Sequence, residues 1–353
     1  MANYNNNYFG LDIGTTGIRL VQLFQRGEYH ELLAAGSLPN NIDVYTCEDP
    51  EQLKFLTQTI DQLRKECGVT SKNVILGISE AHVYTQLIEL PKLPDKQMEE
   101  TIRWEAESFI PIPLDEVELD WEIVPIAGEK NKVLVFLLAS PLIKLNKVIE
   151  VVQQANLHVI NVESSLMASG RALIGKEDEK ETVLLLNIGN EQSELGIIKN
   201  GLLLATRQIP LGGNTITKSL VSNLSLEWKL AEKTKLNLNN LSGAVGEKIT
   251  REVNNVIDTL AHETQRSIHY FKEKFDDLAV TKIILTGRTA VVSSMVDVFA
   301  AQLNALQSKD SNPIIVQVGN PWKTIAKNNS IVEKSPEAQY SFSVALGLAL
   351  KKI

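Results

Sequence analysis

FGLDIGTTGIRLVQL (residues 9–23) and LLLNIGNEQSELGII (residues 184–198) are two versions of one pattern, set half the chain apart. In each, an apolar strand ends at Asp12 or Asn187, a glycine-led turn follows, and alternating apolar residues resume in a second strand, which predicts a β-hairpin. A single such hairpin is an ordinary turn. Its repetition predicts a chain built on a duplicated supersecondary unit.

Working outward, the spacing predicts a helix over Glu51–Cys67 ended by Gly68, then an α+β unit of its own: strands Val74–Ser79 and His82–Leu90, helix Asp95–Ser108, strands Glu118–Pro125 and Lys132–Ala139, and helix Pro141–Ala155. After the second hairpin, helical periodicity dominates through Phe275. A buried strand Lys282–Leu285, a TGRT turn, a helix over Ser293–Leu303 and an apolar closing helix Phe342–Leu350 complete the chain.

The chemistry expected of the turns follows from their residue types. Gly14 leaves room for phosphate oxygens to reach backbone N–H groups, and the Thr15 and Thr16 hydroxyls add donors. Asp12 is placed to face a magnesium ion or its water shell, since a hard cation on phosphates is held through one or two carboxylates. Arg19 lies across the same hairpin. Asn187, Gly189, Asn190 and Glu191 form the matching turn, and two facing turns can pinch a polyphosphate. Gly212, Gly213, Asn214, Glu232 and Lys235 are expected toward sugar and base, with Gly287 and Arg288 as a turn that follows a strand.

Composition narrows the classes. The 353 residues are 44% hydrophobic with a formal net charge of -8, which suits a multidomain globular chain and gives no general attraction to nucleic acid or anionic lipid. The two cysteines, Cys47 and Cys67, form no metal or disulfide pattern. The longest apolar stretch, near Val133–Ile143, is broken by Ser140-Pro141, and the Asn-rich start has no signal-peptide character. A cytoplasmic protein is expected, reaching the inner face of the membrane only through a partner.

The order phosphate hairpin, inserted subdomain, second hairpin, helical subdomain, adenosine turn and closing helix resembles the actin/Hsp70/sugar-kinase superfamily. Within it, Arg103-Trp-Glu-Ala-Glu-Ser-Phe-Ile-Pro-Ile-Pro-Leu-Asp-Glu-Val117, Asn161-Val-Glu163, Ile209-Pro-Leu-Gly-Gly-Asn214, Asn320-Pro321 and Val344-Ala-Leu-Gly-Leu-Ala-Leu350 resemble the PilM family of type IV pilus proteins over nearly the whole chain. The resemblance implies an α/β, ribonuclease H-like two-domain fold with an FtsA/PilM-type insert: subdomain 1A at 1–72, 156–180 and 337–353, insert 1C at 73–155, subdomain 2A at 181–213 and 280–336, and helical 2B at 214–279. It leaves the Asn-rich start and the loop near Ala326–Pro336 unexplained.

The resemblance further implies a scaffold that binds ATP or ADP with Mg2+ and grips the cytoplasmic tail of a PilN-like bitopic membrane protein, at Val83, Thr85, Trp104 and Ile110. Other pilus platform proteins, the motor ATPases and a second copy of the chain are implied as further partners. Phe109 is expected in the insert's own core. Asn187 stands where the family has Asp, Asn161 where it often has Asp, and Arg288 and Thr289 where it often has Gly. An amide supplies no charge to hold a metal, so binding is expected rather than efficient turnover. Glu163 is the candidate for orienting a water. The competing readings are a small-metabolite kinase, for which no catalytic base is visible, and an FtsA-like filament protein, for which no amphipathic tail follows the closing helix.

Overall fold

Strands β1 (Tyr8–Gly14) and β2 (Gly17–Arg26) form the expected hairpin, and β3 (Tyr29–Pro39) extends it antiparallel. On the other side of β1 run the parallel strands β4 (Asn73–Ile78) and β8 (His158–Ser164). The computed structural model describes residues 7–27, 29–125, 131–178, 180–238, 241–274, 279–292, 295–307, 312–326 and 338–352. Most of the Asn-rich start and nearly all of the 326–336 loop lie outside them, as do Phe275 and Ser293, the expected ends of two helices.

The second half repeats the plan. β9 (Thr182–Ile188), β10 (Ser193–Lys199) and β11 (Leu202–Ile209) are antiparallel, and β12 (Lys282–Thr286) and β13 (Ile315–Val318) continue parallel from β9. Spatial orders β3-β2-β1-β4-β8 and β11-β10-β9-β12-β13 are the same topology twice. The sequence repeat is therefore the visible part of a duplicated five-stranded unit.

Between β4 and β8 sits the insert, a three-stranded sheet of β5 (Tyr84–Pro91), β6 (Val117–Pro125) and β7 (Lys132–Pro141) in the order β5-β7-β6. Helix α2 (Asp95–Glu107) covers it with Met98, Ile102 and Ala106, which pack on Val135 and Leu137. Helices α1 (Pro50–Glu66) and α3 (Leu142–Gln154) cover one face of the first sheet through Leu56, Ile60, Leu63, Val148 and Val152. Asp49 caps α1 by accepting from the Glu51 N–H at 2.9 Å, which satisfies a donor that would otherwise be orphaned.

The opposite face of the first sheet carries α4 (Ser165–Leu173) and the closing helix Ser343–Ala349. Their approach depends on glycine. A Cβ on Gly347 would stand 1.7 Å from the Ala168 carbonyl oxygen, and one on Gly10 would stand 2.2 Å from that of Ala345. In the second domain, α5 (Gly213–Leu224), α6 (Trp228–Lys235), the long α7 (Gly243–Lys274) and α8 (Met295–Ala305) share one core with the sheet, built from Leu184, Leu186, Ile216, Val253, Ile257 and Phe299.

Two boundaries differ from expectation. The insert does not span 73–155: β4 pairs between β1 and β8, and α3 packs on that same sheet, so both belong to the first domain. Within 280–336, β14 (Ile325–Ala326) pairs parallel with β3 in the first sheet, and Trp322 is fully buried among Val21, Leu23 and Phe342. The chain recrosses to the first domain just after Asn320-Pro321, because the largest apolar side chain of that segment finds its cavity there.

Candidate functional site

The ends of β1, β4, β9 and β12 open into a cleft of about 400 Å3 between the two sheets. Asp12, Gly14, Thr15, Thr16 and Arg19 form one wall, Asn187, Gly189, Asn190 and Glu191 the other, and Gly287 and Arg288 lie on the rim of the second domain. Two of the cleft glycines, Gly189 and Gly287, are sterically required. A Cβ on Gly189 would be 2.7 Å from the Gln192 carbonyl oxygen, and Gly287 adopts φ +90° with no room for a Cβ against the Ile188 carbonyl.

Asp12 pairs with Arg19 at 3.5 Å. Burial raises its carboxyl above the usual range; Arg19 opposes that rise, and the charge of Glu194 adds to it. Glu194 lines the cleft, accepting from Ser79 Oγ at 2.5 Å and from Asn187 Nδ2 at 3.2 Å. Glu80, 2% exposed, stands behind Ser79 and accepts from Ser164 Oγ and, at 3.4 Å, from the Leu166 N–H, while its Oε2 has no partner among the described residues. Burial first, and Glu194 second, push the Glu80 carboxyl up to about 8. The ring of Tyr45 stacks on His82 at 3.9 Å, and both line the cleft. Burial raises the Tyr45 phenol, with Asp12, Asp43 and Glu194 adding to the effect, and burial lowers the His82 imidazole.

Sequence reading singled out none of Glu194, Glu80, Ser79, Tyr45 and His82. For Glu194 the signal was present: overlaying the hairpins residue by residue places it where Arg19 stands in the first.

Several expected site residues lie elsewhere. Gly213 and Asn214 give their N–H groups to the carbonyls of Gly189 (2.9 Å) and Asn190 (2.8 Å), and the Asn214 amide bonds Glu191, so with Gly212 they brace the second turn from behind. Lys235 is buried with its ammonium saturated by Gly213 O (3.0 Å), Thr217 Oγ1 (3.0 Å) and Glu232 Oε1 (2.7 Å). Its face of α6 is taken up by α5, so neither it nor Glu232 lines the cleft. Glu163 points away: its carboxylate is held by Arg171 at 2.5 and 2.8 Å and by Lys351 at 3.1 Å, because that face of β8 looks onto α4 and the end of the chain. A carboxylate so engaged does not suit the water-orienting role expected of it.

The partner residues divide similarly. Ile110 is 6% exposed and belongs to the insert's core, with Phe109 packed against it. Val83 packs on the core of the first domain, and Thr85 bonds Thr206 of β11 at 2.5 Å. These three are engaged within the chain. Trp104 is 69% exposed, beside a shallow depression lined by Leu93, Gln97, Glu100 and Thr101.

The cleft fits a metal-charged polyphosphate. Asp12, Asp43, Glu191 and Glu194 line it with Arg19 and Arg288, a lining that would accept a polyanion more readily when a cation accompanies it. Among the described residues no helix is long and apolar enough to cross a membrane.

Two sheets of one topology, closing on a pair of glycine turns, define an actin-like ATPase fold. Similarity agrees: the ethanolamine utilization protein EutJ from Carboxydothermus hydrogenoformans shares the fold at a TM-score of 0.55 and 15% identity, covering 97% of this chain and 88% of that one. Cell division protein FtsA of Bacillus subtilis (strain 168) is 22% identical over 265 residues, 67% of this chain and 59% of FtsA, so the match spans well under two thirds of that relative. FtsA of Streptococcus pneumoniae is 20% identical over 353 aligned residues, 89% of this chain and 77% of that protein. A solved PilM-PilN type IV pilus biogenesis complex matches at a TM-score of 0.82 and 26% identity over 98% of both chains. The profile for type IV pilus assembly protein PilM matches residues 10–353, and the chain belongs to that family.

Proposed function

We propose that this protein binds ATP or ADP with Mg2+ between its two glycine turns and, so held, grips the cytoplasmic tail of a PilN-like membrane protein. The observation that carries the nucleotide half is the facing pair of turns, Gly14–Gly17 and Gly189–Gln192, across a cleft rich in carboxylates. Asp12 faces the metal, the turns clasp the phosphates, and the nucleoside lies toward Gly287 and Arg288. Mg2+ supplies charge balance in the carboxylate-lined cleft.

The tail half draws on the likeness to the PilM-PilN complex and on the exposed Trp104. An extended tail places alternate side chains in pockets, and an unburied Trp is a strong anchor for one of them. The tail brings the protein to the inner face of the membrane, where other platform proteins, the motor ATPases or a second copy can meet it.

Calorimetry with ATP, with ADP and with a PilN-like tail peptide tests both halves. Micromolar or tighter heats for each are expected. No heat with either nucleotide reduces the protein to an actin-fold adaptor, and no heat with the peptide removes the partner. Sustained phosphate release in the same sample would make it an enzyme.

A further inference from the structure

The two hairpins are in the same register, and the overlay exchanges their charges. Asp12 on β1 lies opposite Arg19 on β2, whereas the equivalent pair in the second hairpin is Asn187 on β9 opposite Glu194 on β10. Four residues separate the pairs Ile13–Ile18 and Ile188–Ser193 in both, although in the first hairpin Gly14 and Gly17 still pair. The second hairpin therefore lacks an acid on its first strand and carries one on its second.

Asn187 cannot take the acid's place by turning its oxygen to the cleft. Its Nδ2 donates to Glu194, and its Oδ1 is turned toward Gly287, 2.8 Å from where a Cβ on that residue would stand. Asn187 thus serves as a rigid neutral donor that aims Glu194. Ser79 is the second neutral donor, from the first domain. Neither donor to Glu194 is a cation, so no ion pair occupies its carboxylate, and Glu194 lines the cleft while its field reaches Asp12 and Tyr45.

We propose that Glu194 is the second metal-facing carboxylate of the cleft, opposite Asp12, and that it receives the hydration shell of a magnesium ion carried by the nucleotide. The assignment rests on the nucleotide reading above. It places one carboxylate on each domain, so the bound cation favours the closed arrangement of the two, and the longer Glu side chain compensates for a start on the neighbouring strand.

The test compares ADP affinity in Mg2+ and in EDTA, by calorimetry, for the wild type, Glu194→Gln, Asn187→Asp/Glu194→Gln and Glu194→Asp. Expected is a Mg2+ enhancement in the wild type, cut by about tenfold in Glu194→Gln, with EDTA affinity no lower than wild type because one cleft charge fewer faces the polyanion. It is restored in large part by the double variant, which returns the acid to the first strand. Glu194→Asp keeps the charge but withdraws it by one methylene; its reduced enhancement serves as the readout if Glu194→Gln does not fold. Electron paramagnetic resonance with Mn2+ and ADP reads the metal directly, and Glu194→Gln should leave more free Mn2+ at equal concentrations. An unchanged enhancement in Glu194→Gln, or an equal loss in Mg2+ and EDTA, overturns the assignment and leaves the nucleotide reading standing. A wild type that binds no ADP under either condition overturns both.

Discussion

Ser79 Oγ donates to Glu194 Oε1 at 2.5 Å, and this bond joins the stem of the insert to the wall of the cleft. Two more bonds run parallel to it, from Gln208 Nε2 to the Glu80 carbonyl at 2.7 Å and between the hydroxyls of Thr85 and Thr206 at 2.5 Å. The insert is thus tied to the second domain by three polar contacts beside the site where the phosphates are placed.

These contacts give coupling a physical route. Nucleotide should change the affinity for the tail peptide at least about fivefold, the lower end of ordinary coupling energies. Gln208→Ala combined with Thr206→Val should bring the ratio of affinities with and without ATP toward one. Equal affinities in the wild type would remove the coupling, and a ratio undiminished in the double variant would route it elsewhere.

Glu80 makes stability depend on pH. Its folded value, about 8, lies above the ordinary value of 4.5, so the native state holds a proton that the unfolded chain releases between those limits. The resulting stabilisation is complete below pH 4.5 and lost as pH rises to about 8. Glu80→Gln should flatten the Tm profile across that window and raise Tm at its upper end, because the amide keeps an acceptor for Ser164 without a buried charge. Equal slopes in the two proteins would acquit Glu80.

Asp12→Ala should weaken Mg2+-nucleotide binding by roughly tenfold or more, and by more than Asn187→Ala does. Asp12 carries charge into the cleft; Asn187 acts through the carboxylate it aims. The reverse order in calorimetry would mean that the metal sits nearer the second hairpin.

How much of this was legible depends on whether a signal is local. The hairpins were, since alternation and the glycine turns lie within fifteen residues. β3 was not: Glu31-Leu-Leu-Ala-Ala35 carries helix formers, and only its pairing between β2 and β14 overrides them. β8, β11 and β13 are short or mixed, and their sheet neighbours are distant in sequence. Lys235 and Glu232 were misplaced because helix periodicity gives a face but not what the face meets. Glu163 failed on the parity of a strand whose register no local pattern fixes. Glu194 reads as a solvent-facing strand residue until the two hairpins are overlaid.

Gly347→Ala should destabilise the fold rather than the site. The new Cβ would stand 1.7 Å from the Ala168 carbonyl, so α4 and the closing helix must separate. Overpacking of this kind costs about 1–3 kcal/mol, which lowers Tm by several degrees in a chain of this size. An unaltered melting temperature would show that the two helices separate without cost.

Trp104 separates a docking residue from a core residue. At 69% exposure it contributes little to the fold, so Trp104→Ala should leave Tm within about 1 °C of wild type. If the tail seats against α2, the same substitution should weaken the peptide at least tenfold, since a buried Trp anchor is worth about 2 kcal/mol or more at an interface. Ile110→Ala offers the contrast: it empties part of the insert's core and should lower Tm first, with peptide affinity following only as the insert loosens. Peptide titration against both variants, with melting curves on the same samples, decides it. Loss of affinity in Trp104→Ala at constant Tm places the tail on α2, whereas full affinity there moves the tail to another face of the insert.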